Sequence, residues 1–191
     1  MVLPQNGPEE KGVVVAIDVD NLLISSAEDG QKFKGYNLIF GFHRIIDWIK
    51  TFGKILCVHL YLPASQSVND SLWEDILDYY RNEFLLETIY CPKRGPIKDG
   101  RRADDVDRHL IDHTRKMVDL FGDKVRYFCL ASGDSDYSPL LWSLKRERDL
   151  EIAFVIGSED SFSKIYRQMG IAAKHPVTDE ELIHLFSPQK Q

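Results

Sequence analysis

The sequence predicts an α/β protein, a three-layer α/β/α sandwich built on a mainly parallel sheet. Three observations carry that expectation. Runs rich in β-branched and aromatic residues, "GVVVAIDV", "KILCVHLYLP", "LLETIYCP", "KVRYFCLA" and "EIAFVIG", alternate with segments whose apolar residues recur at helical spacing. Such strict alternation makes each helix a crossover between parallel strands, so helices cover both faces of one sheet. At 191 residues, 43% hydrophobic and 28% charged, the chain can bury one core, and no repeat, low-complexity block or linker divides it.

The first strand, "GVVVAIDV", runs into a polar loop rich in Gly and Lys, and "NLIFGFHRIIDWIKTF" follows as a helix. "KILCVHLYLP" reads as a strand, "NDSLWEDILDYYRNEF" as a helix capped by Asn69 or Asp70, and "LLETIYCP" as a strand stopped by Pro92. After a loop, "ADDVDRHLIDHTRKMVDLF" is helical, "KVRYFCLA" a strand, "SPLLWSLKRERD" a helix with Pro139 in its first turn, and "EIAFVIG" a strand. "DSFSKIYRQMG" and "TDEELIHLF" give two short closing helices. The expected organisation is a flexible N-terminal segment at 1–11, one domain at 12–186 and a tail at 187–191.

The formal charge of -6 argues against holding nucleic acid by overall electrostatics, though it leaves room for a local basic patch. The opening "MVLPQNGPEEKG" lacks the charged and apolar regions of a signal peptide, and no apolar run approaches a membrane span. The expectation is a soluble, intracellular, cytoplasmic protein without a membrane partner. Cys57, Cys91 and Cys129 form no CxxC pair and sit in or beside apolar runs, as small core residues do. His109 and His113 stand four apart on a helix, but neither an HExxH pattern nor a cysteine partner accompanies them.

Two of the strands end in acid: "VVVAIDVDNLL" at Asp18 and Asp20, and "LASGDSDYSPLLW" at Asp134 and Asp136. An open parallel sheet binds ligands outside the carboxyl ends of its strands, where strand order reverses. The order 3-2-1-4-5 would make the first and fourth strands neighbours at such a point, so that Asp18 and Asp134 meet at one edge. The helix that begins at the same edge adds a third source. At about 100° per residue, Ala103, Val106, Leu110, Ile111, Thr114, Met117, Val118 and Phe121 form its apolar stripe. Asp107 falls inside that stripe and Asp104 on its border, whereas Asp105, Asp112 and Asp119 point to solvent. Capping and dipole compensation account for Asp104 and Asp105 but not for a carboxylate facing the sheet. Asp18, Asp107 and Asp134, with Asp104 or Asp136 beside them, would repel one another unless a hard divalent cation such as Mg2+ or Mn2+ neutralised them. Such an ion activates water and stabilises charge on a phosphodiester during in-line displacement. Taken singly, "IDVDN" and "SGDSDY" are equally ordinary as turns and helix caps.

"IDVDN", "ADDVDRHL" and "SGDSDYSPL", in this order and spacing, resemble the NYN domain, a branch of the PIN-like nucleases. The resemblance runs from about Val13 to about Phe186. It implies a PIN-like, Rossmann-like fold and a metal-dependent ribonuclease. On the matching positions it implies Asp18, Asp107 and Asp134 as metal ligands, with Asp104 available as another. Asp136 would assist directly or through water, and Asn21 would orient a ligand water or the scissile phosphate. Where the family often carries a further helical acid, this chain has His113, with Asp112 one residue out of phase.

The loop "CPKRGPIKDGRRADD" leads into the acidic helix and carries Lys93, Arg94, Lys98, Arg101 and Arg102, opposed by Asp99 within it. Helix geometry puts these cations at the edge that holds the acids, where they would grip the phosphates of RNA, most simply a single strand. Phe33, Tyr36, Tyr79 and Tyr80 suit either base stacking or the core, with the core the better account of most. A homodimer or a protein partner stays open. So do two other functions: a haloacid-dehalogenase-like phosphatase, with Asp18 as nucleophile and Asp20 as general acid, and an RNA-binding or regulatory module of the same fold with weakened catalysis. Against the phosphatase, Leu22 replaces the expected Thr or Val, and Asp107 has no role.

Overall fold

The computed structural model describes residues 11–24, 39–64, 78–92, 105–157, 159–171 and 173–177. Asp104, the basic residues Lys93, Arg94, Lys98, Arg101 and Arg102, and the aromatic residues Phe33 and Tyr36 lie outside them. So do the closing helix expected at "TDEELIHLF" and most of the helix expected at "NDSLWEDILDYYRNEF", of which 78–80 form a described helical turn.

The elements run β1 (Gly12–Asp18), α1 (Val19–Ile24), α2 (Ile39–Lys50), β2 (Lys54–Pro63), β3 (Leu85–Cys91), α3 (Val106–Phe121), β4 (Val125–Ala131), α4 (Ser138–Glu147), β5 (Glu151–Ile156), α5 (Lys164–Gln168) and β6 (Ala173–Pro176). Among the described residues all strand pairs are parallel, in one six-stranded sheet of order β3-β2-β1-β4-β5-β6. The expected order 3-2-1-4-5 is therefore present, and β6 extends it.

β1 lies at the centre because its "GVVVAID" run can be buried on both faces, and every residue of it is buried. Val13, Val15 and Ile17 join one core with Phe42, Ile45, Ile46 and Ile49 of α2. Val14 and Ala16 join the other, with Val106, Leu110 and Val118 of α3 and Leu140, Leu141 and Leu144 of α4. Alternation places Asp18 on this second face, level with the helices that follow β3 and β4. On α3 the buried line is Val106, Leu110, Thr114 and Val118, flanked by the partly buried Ile111, Met117 and Phe121 of the expected stripe.

Two elements differ from the sequence reading. The stretch after β1 begins as helix α1, because Asp18 caps it and Val19 and Leu22, three residues apart, both reach the core. β6, "AKHP", lacks a β-branched residue and contains Pro176, yet it pairs Ala173 with Ala153 through Pro176 with Ile156. As the described edge of the sheet it tolerates a proline that a central strand would exclude. The three cysteines are free and buried, as expected.

Candidate active site

Asp18 is 5% exposed at the end of β1. Its Oδ1 accepts the backbone N–H of Asn21 at 3.1 Å, the contact of an N-cap with the third helical residue. Asn21 in turn accepts the N–H of Gly133 on its Oδ1 at 3.1 Å, joining α1 to the loop after β4. The resemblance implies that Asn21 orients a water or a phosphate; its amide oxygen is engaged by the Gly133 N–H, which leaves its NH2 group to donate.

The loop after β4 is held from inside. The N–H of Asp134 donates to Oγ of the fully buried Ser132 at 3.2 Å, and Asp134 Oδ1 accepts the N–H of Asp136 at 3.0 Å. The Tyr166 hydroxyl of α5 donates to the Asp134 carbonyl. Gly133 is required by close approach, since a Cβ there would stand 2.2 Å from the Ser161 carbonyl oxygen. Gly133→Ala is expected to lower stability by at least about 1–3 kcal/mol, the usual cost of overpacking, read as a fall in the urea midpoint.

Tyr137, which the sequence reading passed over, joins the acids. Its hydroxyl lies 2.7 Å from Asp18 Oδ2 and 2.7 Å from Asp107 Oδ1, on a ring that is fully buried. A phenol carries one proton, so it can donate to one carboxylate at a time; the second contact is a hydrogen bond only when that carboxyl is itself protonated. The sequence signal was a hydroxyl-bearing aromatic inside an acidic turn, with apolar residues at helical spacing after it.

The electrostatics follow from this packing. Burial pushes the Asp18 carboxyl up to about 6, against hydrogen bonds from Tyr137 and Asn21 that favour its charge, and Asp107 and Asp20 raise it further. Asp107 is also raised, first by desolvation and then by the charges of Asp134, Asp136 and Asp105, with the Tyr137 bond opposing. Asp107 does not point wholly into the core as its helical phase implied: the residue is exposed, and its carboxyl end reaches Tyr137 from the first turn of α3 at the sheet rim. Asp134 is half-buried and Asp136 exposed.

A model of the NYN domain matches residues 12–170. The chain belongs to the NYN domain family. Its fold is that of PIN-like nucleases, and members of the family are generally nucleases. The chain is also similar to a protein of unknown function from Vibrio parahaemolyticus, with a TM-score of 0.63 at 15% identity over 92% of this chain and 98% of that one. At that identity the likeness speaks for the fold alone. No curated protein matches.

His113, at the position where the resemblance implies that the family often carries a further acid, packs its ring near His59, Tyr61 and His109. Burial lowers the pKa values of His59 and His113, as expected of imidazoles used in packing. Tyr80 is core, 2% exposed against Phe42 and Phe84, whereas Tyr79 is 65% exposed. Among the described residues no group of three His, Cys, Asp or Glu side chains is already arranged to hold a metal ion, and no helix is long and apolar enough to cross a membrane. The donor chemistry nevertheless fits a hard cation. Asp18, Asp107 and Asp134 offer oxygens alone, and no lysine or arginine among the described residues forms an ion pair with them.

Proposed function

We propose that this NYN domain is a metal-dependent ribonuclease that hydrolyses phosphodiester bonds of single-stranded RNA at the carboxyl edge of its sheet. The observation that carries the reading is the meeting of Asp18 and Asp107, from distant segments, on one Tyr137 hydroxyl, beside the loop of Asp134. Asp18, Asp107 and Asp134 would hold Mg2+ or Mn2+, with Asp104 as a further ligand. The ion would supply water activation and neutralise charge at the phosphate. The residues do the remaining work. Tyr137 fixes the separation of Asp18 and Asp107, Asn21 locks the loop of Asp134 against α1, and Asp136 stands outside to take a proton or order a water. Lys93, Arg94, Lys98, Arg101 and Arg102 would grip flanking phosphates and set the register of the strand.

Both oxygens of Asp18 are engaged, one by Asn21 and one by Tyr137, which suits a ligand better than the covalent nucleophile of a phosphatase. The test is a pair of manganese assays on the same preparation, one with end-labelled single-stranded RNA and one with a phosphomonoester. The reading expects the RNA cut and the monoester untouched. The reverse would establish the phosphatase, and binding without cutting would establish a regulatory module.

Arg101→Ala with Arg102→Ala is expected to weaken RNA binding and flatten the plot of log affinity against log salt. The loss is about 0.7 per phosphate contact on a single strand, hence about 1.4 for the pair. Salt-dependent titration measures it, and an unchanged slope would place RNA elsewhere.

A further inference from the structure

α4 starts directly after the acidic loop, and its inner residues Leu140, Leu141 and Leu144 fill the core. Its outer face carries Pro139, Trp142 and Arg146, spaced three and four residues apart along one line. Trp142 is 40% exposed, although the core beneath it is complete. With Pro139, Ser143, Arg146 and Glu147 it lines an open depression of about 390 Å³. Arg146 makes no ion pair among the described residues. A single exposed aromatic is ordinary. This one lies on the helix that emerges from the candidate site, with an apolar Pro139 on the site side and a free cation on the far side.

We propose that Trp142 is a base-stacking platform for the RNA strand whose phosphate lies at the acid cluster, with Arg146 meeting the next phosphate along. This rests on the ribonuclease reading and adds a substrate subsite to it. From Asp136 the chain passes through the 3-10 turn Ser135–Tyr137 into α4, a rise of about 10 Å to Trp142, the span of a few stacked nucleotides. Four residues of α4, about 6 Å of rise, separate Trp142 from Arg146, close to the step between successive phosphates. Stacking on an indole face accepts any base, so the subsite tightens binding without reading sequence.

The test is equilibrium binding of a fluorescent single-stranded RNA in calcium, which supports binding without turnover, to the whole chain and to Trp142→Ala and Trp142→Phe. Trp142→Ala is expected to weaken affinity by about 5- to 150-fold, the range for losing one stacked base. Trp142→Phe restores most of that loss, and the salt slope stays as in the wild type because no phosphate contact has gone. A matched strand with an abasic nucleotide at the stacked position binds wild type and Trp142→Ala alike. If wild type binds RNA and Trp142→Ala binds equally well, the subsite is overturned and the ribonuclease reading stands. If wild type binds no RNA at all, both fall. A loss in Trp142→Ala that Phe fails to restore, or that comes with a lowered melting temperature, overturns stacking in favour of a structural role.

Discussion

In metal-free buffer at pH 7.5, Asp18→Asn is expected to melt at a higher temperature than the wild type. The Asp18 carboxyl is 5% exposed, and its pKa is pushed from 3.8 to about 6 chiefly by burial. At about 1.4 kcal/mol per pH unit, holding it ionised in the folded chain costs about 3 kcal/mol. Asparagine has the same shape and caps a helix equally well, so the bond from the Asn21 N–H survives. Its amide nitrogen can donate to the Tyr137 oxygen, which frees the phenol proton for Asp107 and removes the conflict of one proton between two carboxylates. The direction with pH follows from linkage. A carboxyl whose folded pKa is raised contributes stability below its unfolded value, and that stability is lost as pH rises through the folded value. The gap between variant and wild type should therefore be near zero below about pH 4 and full above about pH 6. Melting curves at pH 4 and pH 7.5 check this. A variant less stable than wild type at pH 7.5 without metal would show that the carboxylate is compensated by a group outside the described residues.

The second large effect is catalytic. Asp107→Asn should cut RNA at least about 100-fold more slowly than wild type, beyond the loss typical of a residue one shell removed from a metal. It should do so with the fold intact, because Asp107 is exposed apart from the carboxyl that meets Tyr137. Asp119→Asn, on the same helix, is the control. Asp119 pairs with Arg148 at the surface, so its loss costs at most about 1 kcal/mol and leaves cleavage unchanged. Initial rates on a labelled single strand distinguish the two. Equal rates would remove Asp107 from the site.

Much of this architecture was legible because it rests on periodicity. β2 spans the whole of "KILCVHLYLP", and α3 and β4 follow the patterns that announced them. The adjacency of β1 and β4 came from the topology of parallel sheets, and it brings the loops of Asp18 and Asp134 together. Where local pattern is weak, the sequence was silent. β6 is a four-residue strand, held by its register with β5 rather than by its own side chains. Tyr137 reads as one more core aromatic until the folded chain sets its hydroxyl between two carboxylates 89 positions apart in order, Asp18 and Asp107. Helical phase gave the side of α3 on which Asp107 lies but not its depth, because a first turn overhanging the sheet rim is more open than the middle of the helix. Gly133 was legible as a turn residue, but its packing against Ser161 depends on a loop far along the chain.

The most direct measurement of the central claim is the rate of cleavage of an end-labelled single-stranded RNA as manganese is raised, with wild type and Asp134→Asn side by side. The account predicts no cleavage in chelator, a rate that rises with manganese and saturates for the wild type, and no cleavage by Asp134→Asn at any concentration. Equal manganese-dependent cleavage by the two proteins, or a wild type that cuts nothing at saturating manganese, would contradict it.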